Sequence, residues 1–248
     1  MEAVTFCYTG FLRPILNGLI FSICLGFSRE FIIVLSKKGV LCMGVIITIG
    51  REFGSGGREL GRRLADELGL AYYDREILLE IEKQTPYCLE YIEQVTENKP
   101  LPLLPIHYGM SFSATNDPNL SQSIDIYAAQ KKVLQDLATK SSCVIIGRCA
   151  DDVLKDMHPV RLFVYADMPS KIIRCQSRSK EGEKADPRSL AREIKKVDKN
   201  RAKYYEFYTG KKWGDKANYD LMINTSGRSL KEIAHGLTEM LAPYLKKD

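Results

Sequence analysis

Gly50, Gly54, Gly56 and Gly57 fall within eight positions, between the apolar run Ile46–Ile49 and a segment where Leu60, Leu64 and Leu68 recur every fourth residue. The chemistry such a stretch can do is anion binding. Glycines let the backbone turn tightly, and N–H groups at a helix start then cradle the anion. Arg58 strengthens that expectation. A cation in a first helical turn opposes the helix macrodipole, so its presence makes more sense with a phosphate beside it. The pattern G-x-x-x-x-G-K-[ST] is nonetheless incomplete. Gly56 is followed by Gly57, Arg58 and Glu59, with neither a lysine nor a hydroxyl among them. The alternative is a flexible turn that holds no ligand.

Other basic residues follow at strand ends. Gly147-Arg148 comes directly after the apolar run Val144–Ile146. A guanidinium there can grip a phosphate through two hydrogen bonds. Arg174 and Arg178 sit on a helix expected from about Pro169, ahead of a charged segment at 177–189. That segment is either a mobile cover whose cations close on phosphates or an exposed linker. Asp198 and Arg201 lie three apart on a helix over 190–208 and so share a face. Asp74 and Arg75 follow the short apolar run Ala71–Tyr73. Strand ends are where α/β proteins place ligands, although a helix cap and a surface arginine would read the same way.

The elements that position these residues alternate strand and helix, which predicts an α/β fold around a parallel sheet. Ile46–Ile49 is apolar throughout, as a central strand covered on both faces must be. Gly61 and Ala65 give the following helix a face that approaches the sheet closely, and Gly69 ends it. Val160–Asp167 and Tyr219–Ser226 read as further strands. The last helix starts at Ser229, with Glu232 completing a capping box. A helix from about Ser123 to Lys140 is expected to bury Ile124, Ala128, Val133, Leu134 and Leu137. Residues 85–125 are rich in Pro, Asn and Ser and form an insert, which in a compact domain is a lid or binding segment.

Bulk properties narrow the partners. The formal charge of +5 is spread along the chain, so it does not point to nucleic acid. The seven cysteines form no C-x-x-C, and the three histidines are far apart. A disulfide framework and a protein-held metal are therefore not expected, and a reducing compartment is. Residues 1–42 stand apart. The apolar stretch Ile15–Phe27 is short for a membrane helix. Arg13 and Asn17 interrupt it, unlike a signal peptide. The remaining reading is a start placed upstream of Met43. A membrane partner follows only if that extension is a real anchor, and the expected location is otherwise the cytoplasm.

From Val45 onward the chain resembles the cytidylate kinase-like family, within the P-loop nucleoside monophosphate kinases. The residues that carry this are IITIGREFGSGGRELG, LAYYDREIL, VIIGRCADDVL, DKNRA and YDLMINTS, in that order. Cytidylate kinases are similar in a G-S-G phosphate loop, a strand ending in G-R-D and a helix bearing D-R-N-R-A. The resemblance implies a three-layer sandwich over residues 43–248, with a parallel sheet of about five strands flanked by helices. An acceptor-binding insert (85–125) and a lid (about 177–189) would complete it.

The resemblance also implies roles. Gly54, Ser55, Gly56 and Gly57 would hold the phosphates of ATP. Arg148 would grip the acceptor's phosphate. Asp198 would face the acceptor's sugar and Arg201 its phosphates. Asp74 is placed on the acceptor side, and Arg174 and Arg178 at the base of the lid. Arg58 is the candidate for the missing lysine's charge. Mg²⁺ would arrive on the substrate phosphates, with no metal ligand from the protein. Cys149 replaces the aspartate after Gly147-Arg148, leaving Asp151 or Asp152 to serve instead. The implied activity is phosphoryl transfer from ATP to a nucleoside monophosphate, CMP or dCMP foremost. The alternatives are a kinase for another small phosphate acceptor and a silent nucleotide-binding regulator.

Overall fold

The computed structural model describes residues 21–23, 31–36, 39–41, 44–97, 118–178 and 186–244. The chain falls into two units, Met1–Val45 and Ile46–Asp248. In the first, β1 (Phe21–Ile23), β2 (Phe31–Ser36) and β3 (Gly39–Leu41) pair antiparallel in that order. The rest of the extension read at 1–42 lies outside the described residues. So do residues 98–117 of the insert and residues 179–185 of the expected lid. Among the described residues, no helix is long and apolar enough to cross a membrane.

The second unit is built on five parallel strands: β4 (Ile46–Arg51), β5 (Ala71–Tyr73), β6 (Cys143–Ile146), β7 (Val160–Tyr165) and β8 (Leu221–Asn224). Their spatial order is β5-β6-β4-β7-β8. Parallel neighbours need crossover connections, and helices supply them. β4 takes the centre because both of its faces are apolar: Ile46, Ile47 and Ile49 are all buried. Its neighbours stay in register on both sides, with Ile49 opposite Ile146 and Leu162. The expected three-layer α/β sandwich is the observed one.

Strand alternation divides the core. Ile49 and Ile146 point toward α1 (Gly57–Leu68), where a Cβ on Gly61 would lie 2.4 Å from Ile146 Cδ1. Only a glycine allows that approach. α8 (Leu230–Leu241) packs beside α1. Ile46, Cys143 and Ile145 instead join the cluster formed with α2 (Glu76–Gln84), α3 (Leu89–Glu97), α4 (Pro118–Lys140) and α7 (Pro187–Thr209). α5 (Ala150–Val153) follows β6, and α6 (Met168–Arg178) follows β7.

Two expectations about α4 need correction. It begins at Pro118 rather than near Ser123, and its buried stripe has a different phase. Ile124 is 51% exposed and Ala128 is also exposed, whereas Ile126, Gln130, Val133, Leu134 and Leu137 are buried. The reason is Gln130. It holds a core position, so the apolar pattern skips a beat where the helix turns inward. Its Nε2 donates to Arg148 O at 3.0 Å, and its Oε1 accepts from Tyr204 Oη at 3.4 Å.

Candidate active site

The glycine turn closes as its composition requires. Gly54 and Gly56 have φ of 74° and 83°, a left-handed region that favours glycine. Gly56 caps α1 with no side chain on the helix's first N–H groups. That leaves the orphan donors of the first turn for an anion. Ser55 is buried, its Oγ donating to Glu52 O at 2.8 Å. The outer rim of the turn is clipped to the end of β8. Thr225 Oγ1 donates to Ser55 O at 2.7 Å, and Arg174 Nη1 to the same oxygen at 3.3 Å. Arg174 also donates to Thr225 Oγ1 and Thr225 O.

The base of the turn is held by a group the sequence did not single out. Lys171, on α6, is 6% exposed at its side chain. Its Nζ lies 2.7 Å from Glu52 Oε2 and 3.0 Å from Asp198 Oδ2. Asp198 Oδ1 in turn accepts from Phe53 N at 2.6 Å. Glu52 Oε2 accepts from Ala166 N at 3.2 Å. Asp198 is thus bonded to the loop backbone and to a lysine. Two further cations near the start of α1, Arg58 and Arg178, are paired with acids. Arg58 Nε sits 2.5 Å from Asp74 Oδ2, with Arg58 61% exposed and Asp74 8%. Arg178 Nη2 lies 2.9 Å from Glu59 Oε2, and Glu59 Oε1 accepts from Arg63. Asp74 Oδ1 is buried with no hydrogen-bond partner among the described residues.

Beside the turn, at the carboxyl ends of β4 and β6, lies a cleft open to solvent. Arg148 and Arg201 both line it, as does Arg51, which sequence reasoning passed over. The expected arginines therefore divide. Arg148 and Arg201 meet in the cleft, while Arg174 and Arg178 lie along α6 on the turn's other flank. Gly147, Arg148 and Cys149 adopt three successive left-handed conformations, φ 68°, 59° and 53°. Non-glycine residues rarely do so, and such strain gathers at functional sites. The bond from Gln130 to Arg148 O braces this turn.

The cleft carries one carboxylate, Asp151. Its Oδ2 accepts from Tyr205 Oη at 2.6 Å. Burial raises its pKa above the ordinary value, against the lowering effect of the Tyr205 hydrogen bond. Asp152 points elsewhere and pairs with Lys211 at 2.7 Å. Of the two aspartates left open by the sequence, Asp151 is the one in the cleft. The Cys149 thiol is pushed well above its usual pKa, by burial first and then by Asp151 and Asp152. It is not a thiolate nucleophile.

The arrangement fits the phosphates of a nucleotide at the glycine turn: a helix start with uncapped donors, next to a cleft with three guanidinium groups. Among the described residues, no cluster of three His, Cys, Asp or Glu is placed to hold a metal ion. Glu59, in the first turn of α1, is engaged by Arg63 and Arg178.

Comparison with known proteins gives a consistent picture. The sequence profile of the cytidylate kinase-like family matches residues 46–227. No curated protein matches the chain. Among solved structures, an uncharacterized protein from Eubacterium ventriosum is 26% identical, with a TM-score of 0.55, covering 82% of this chain and 99% of its own. A shikimate kinase from Acinetobacter baumannii in complex with shikimate is 16% identical, with a TM-score of 0.45, covering 84% and 97%. A gluconokinase from Sinorhizobium meliloti is 17% identical, with a TM-score of 0.43, covering 82% and 94%.

Proposed function

The chain belongs to the cytidylate kinase-like family, and from that premise we propose that it transfers the terminal phosphoryl group of ATP to a nucleoside monophosphate, CMP or dCMP foremost. The observation that carries this reading is the meeting of Arg148 and Arg201 in one cleft beside the glycine turn. ATP places its phosphates on Gly54, Ser55, Gly56 and Gly57, with Arg58 adding charge from the first turn of α1. The acceptor's phosphate lies between Arg148 and Arg201, with Asp74 and Asp198 on the acceptor side. Arg174 and Arg178 flank the turn from α6. The cytoplasm, where these nucleotides are made and used, is its place.

The transfer needs positioning and charge neutralisation more than covalent help. A lone pair on an acceptor phosphate oxygen forms the new P–O bond. The bond from the γ-phosphorus to the bridging oxygen breaks, and its electron pair stays on ADP. The attacking oxygen of a phosphate dianion carries no proton, so no general base is required. Mg²⁺ bound to the nucleotide supplies charge neutralisation on the phosphates. The guanidinium groups hold the acceptor in line, and the buried turn keeps the donor fixed.

The test is ADP release from ATP with CMP, dCMP, UMP and AMP, for the wild type and for Arg148→Ala. Release with a cytidine nucleotide, lost in Arg148→Ala, supports the reading. Release only with a different phosphate-bearing acceptor shifts the substrate. ATP binding without release to any acceptor makes the protein a nucleotide-binding regulator, which Gly57 and Glu59 in the loop would explain.

A further inference from the structure

Two departures from the loop pattern belong together. In G-x-x-x-x-G-K-[ST] the first glycine stands five positions before the second. With Gly56 as the second, the first falls on Arg51 and the lysine on Gly57. The chain has therefore exchanged a glycine for a cation at one end of the loop and a cation for a glycine at the other. The structure shows why one change requires the other. A Cβ on Gly57 would lie 2.6 Å from Arg51 Cβ, and 3.2 Å from both Arg51 Cγ and Val164 Cβ. Arg51 Cβ is fixed to the end of β4, so that clash cannot be relieved by swinging a side chain. With any side chain at position 51, position 57 must stay glycine.

A Cβ on Gly147 would fall 1.7 Å from Arg51 Nη1 and 2.8 Å from Cζ. The guanidinium thus lies across the bare backbone of Gly147, whose φ is 68°. Arg51 is 9% exposed and lines the cleft together with Arg148, Arg201 and Asp151. Arg201 Nη1 also donates to Arg51 O at 3.3 Å. Guanidinium groups gathered at one cleft suit a phosphate, which each can hold through paired hydrogen bonds. Arg58, the other candidate for the missing charge, is turned onto Asp74.

We propose that Arg51, the cation at the position of the loop's first glycine, binds the phosphate of the acceptor with its guanidinium, together with Arg148 and Arg201. The substrate class is then a phosphate monoester carrying two negative charges, rather than a neutral polyol whose hydroxyl is phosphorylated. This rests on the phosphoryl-transfer reading above. It adds a binding residue from the strand that precedes the loop.

Two measurements test it on the full chain. The first is thermal stability, with and without CMP or inorganic pyrophosphate, for the wild type, Arg51→Ala and Arg51→Lys. The assignment expects both ligands to raise the wild-type melting temperature, Arg51→Ala to abolish the rise and Arg51→Lys to recover part of it. Turnover in Arg51→Ala should fall roughly 100-fold, the scale of losing one preorganised charge partner. The second is a cycle of Gly57→Lys, Arg51→Gly and the double variant. Gly57→Lys alone should melt well below the wild type, and adding Arg51→Gly should restore most of the loss. Ligand-induced stabilisation in Arg51→Ala equal to wild type overturns the assignment. So does Gly57→Lys melting equally in both backgrounds, or a wild type that neither ligand stabilises. A wild type that binds CMP through Arg51 but releases no ADP with any acceptor sinks the proposed activity and leaves Arg51 in place.

Discussion

Asp198 Oδ1 accepts a hydrogen bond from Phe53 N at 2.6 Å, and its Oδ2 lies 3.0 Å from Lys171 Nζ. One carboxylate thus ties the glycine turn to both helices that follow β7. Lys171 sits between Glu52 and Asp198 and is nearly inaccessible to water. Removing it leaves two carboxylates facing each other with no cation. Lys171→Met is expected to destabilise the protein by about 3 kcal/mol, the lower end for breaking a buried pair, because both acids keep some exposure. Urea denaturation measures it. A loss below half that value would mean that water already screens the pair.

Arg58 and Asp74 form the second tie, linking the first turn of α1 to the end of β5. The pair is half exposed, so its worth to stability is small. Its weight in catalysis should be larger. Arg58→Ala releases Asp74, whose other oxygen already lacks a partner. About a tenfold fall in kcat/KM is expected, equivalent to ~1.4 kcal/mol of transition-state stabilisation. Near-normal turnover in Arg58→Ala would remove Arg58 from the machinery.

The strain at Arg148 can be separated from its charge. Arg148→Ala and Arg148→Gly both delete the guanidinium, but only glycine relaxes at φ 59°. The glycine variant should be more stable than the alanine variant by about 1 kcal/mol. Both should lose acceptor binding. Equal denaturation midpoints for the two would show that the left-handed turn is not strained at this position.

Much of this was legible because it is local. The run Ile46–Ile49, the clustered glycines and the leucines of α1 fall within one stretch of chain, and the fold places them as that stretch implies. Arg148 and Arg201 could be placed by position on a strand end and a helix face. What stayed hidden depends on contacts across the sequence. Lys171 reads as a surface lysine on an amphipathic helix until Glu52 and Asp198 close around it. Arg51 reads as a strand-end residue, and its meaning depends on two glycines, six and ninety-six positions further on. Gln130 hid the phase of α4 because a core position held by a polar side chain looks like surface.

Asp151 offers a pH test. Burial raises its carboxyl pKa above the ordinary 3.8, the Tyr205 hydrogen bond lowers it, nearby Asp152 raises it and Lys211 lowers it, with burial dominant. The folded state therefore binds this proton more tightly than the unfolded chain does. The sign follows from linkage: where the folded state holds more protons, stability falls as pH rises. The contribution is fully present below 3.8 and is lost as pH climbs through the raised value in the folded protein. Asp151→Asn keeps an acceptor for Tyr205 Oη but has no proton to lose. Relative to the wild type, it should gain stability as pH rises through the raised value, as expected for a buried carboxyl that resists ionisation. Tyr205→Phe removes the bond at 2.6 Å that favours the charged form and should steepen the wild-type decline. Melting temperatures followed from acid to neutral pH provide the check. Parallel curves for the wild type and Asp151→Asn would place the Asp151 carboxyl in water rather than in the cleft wall.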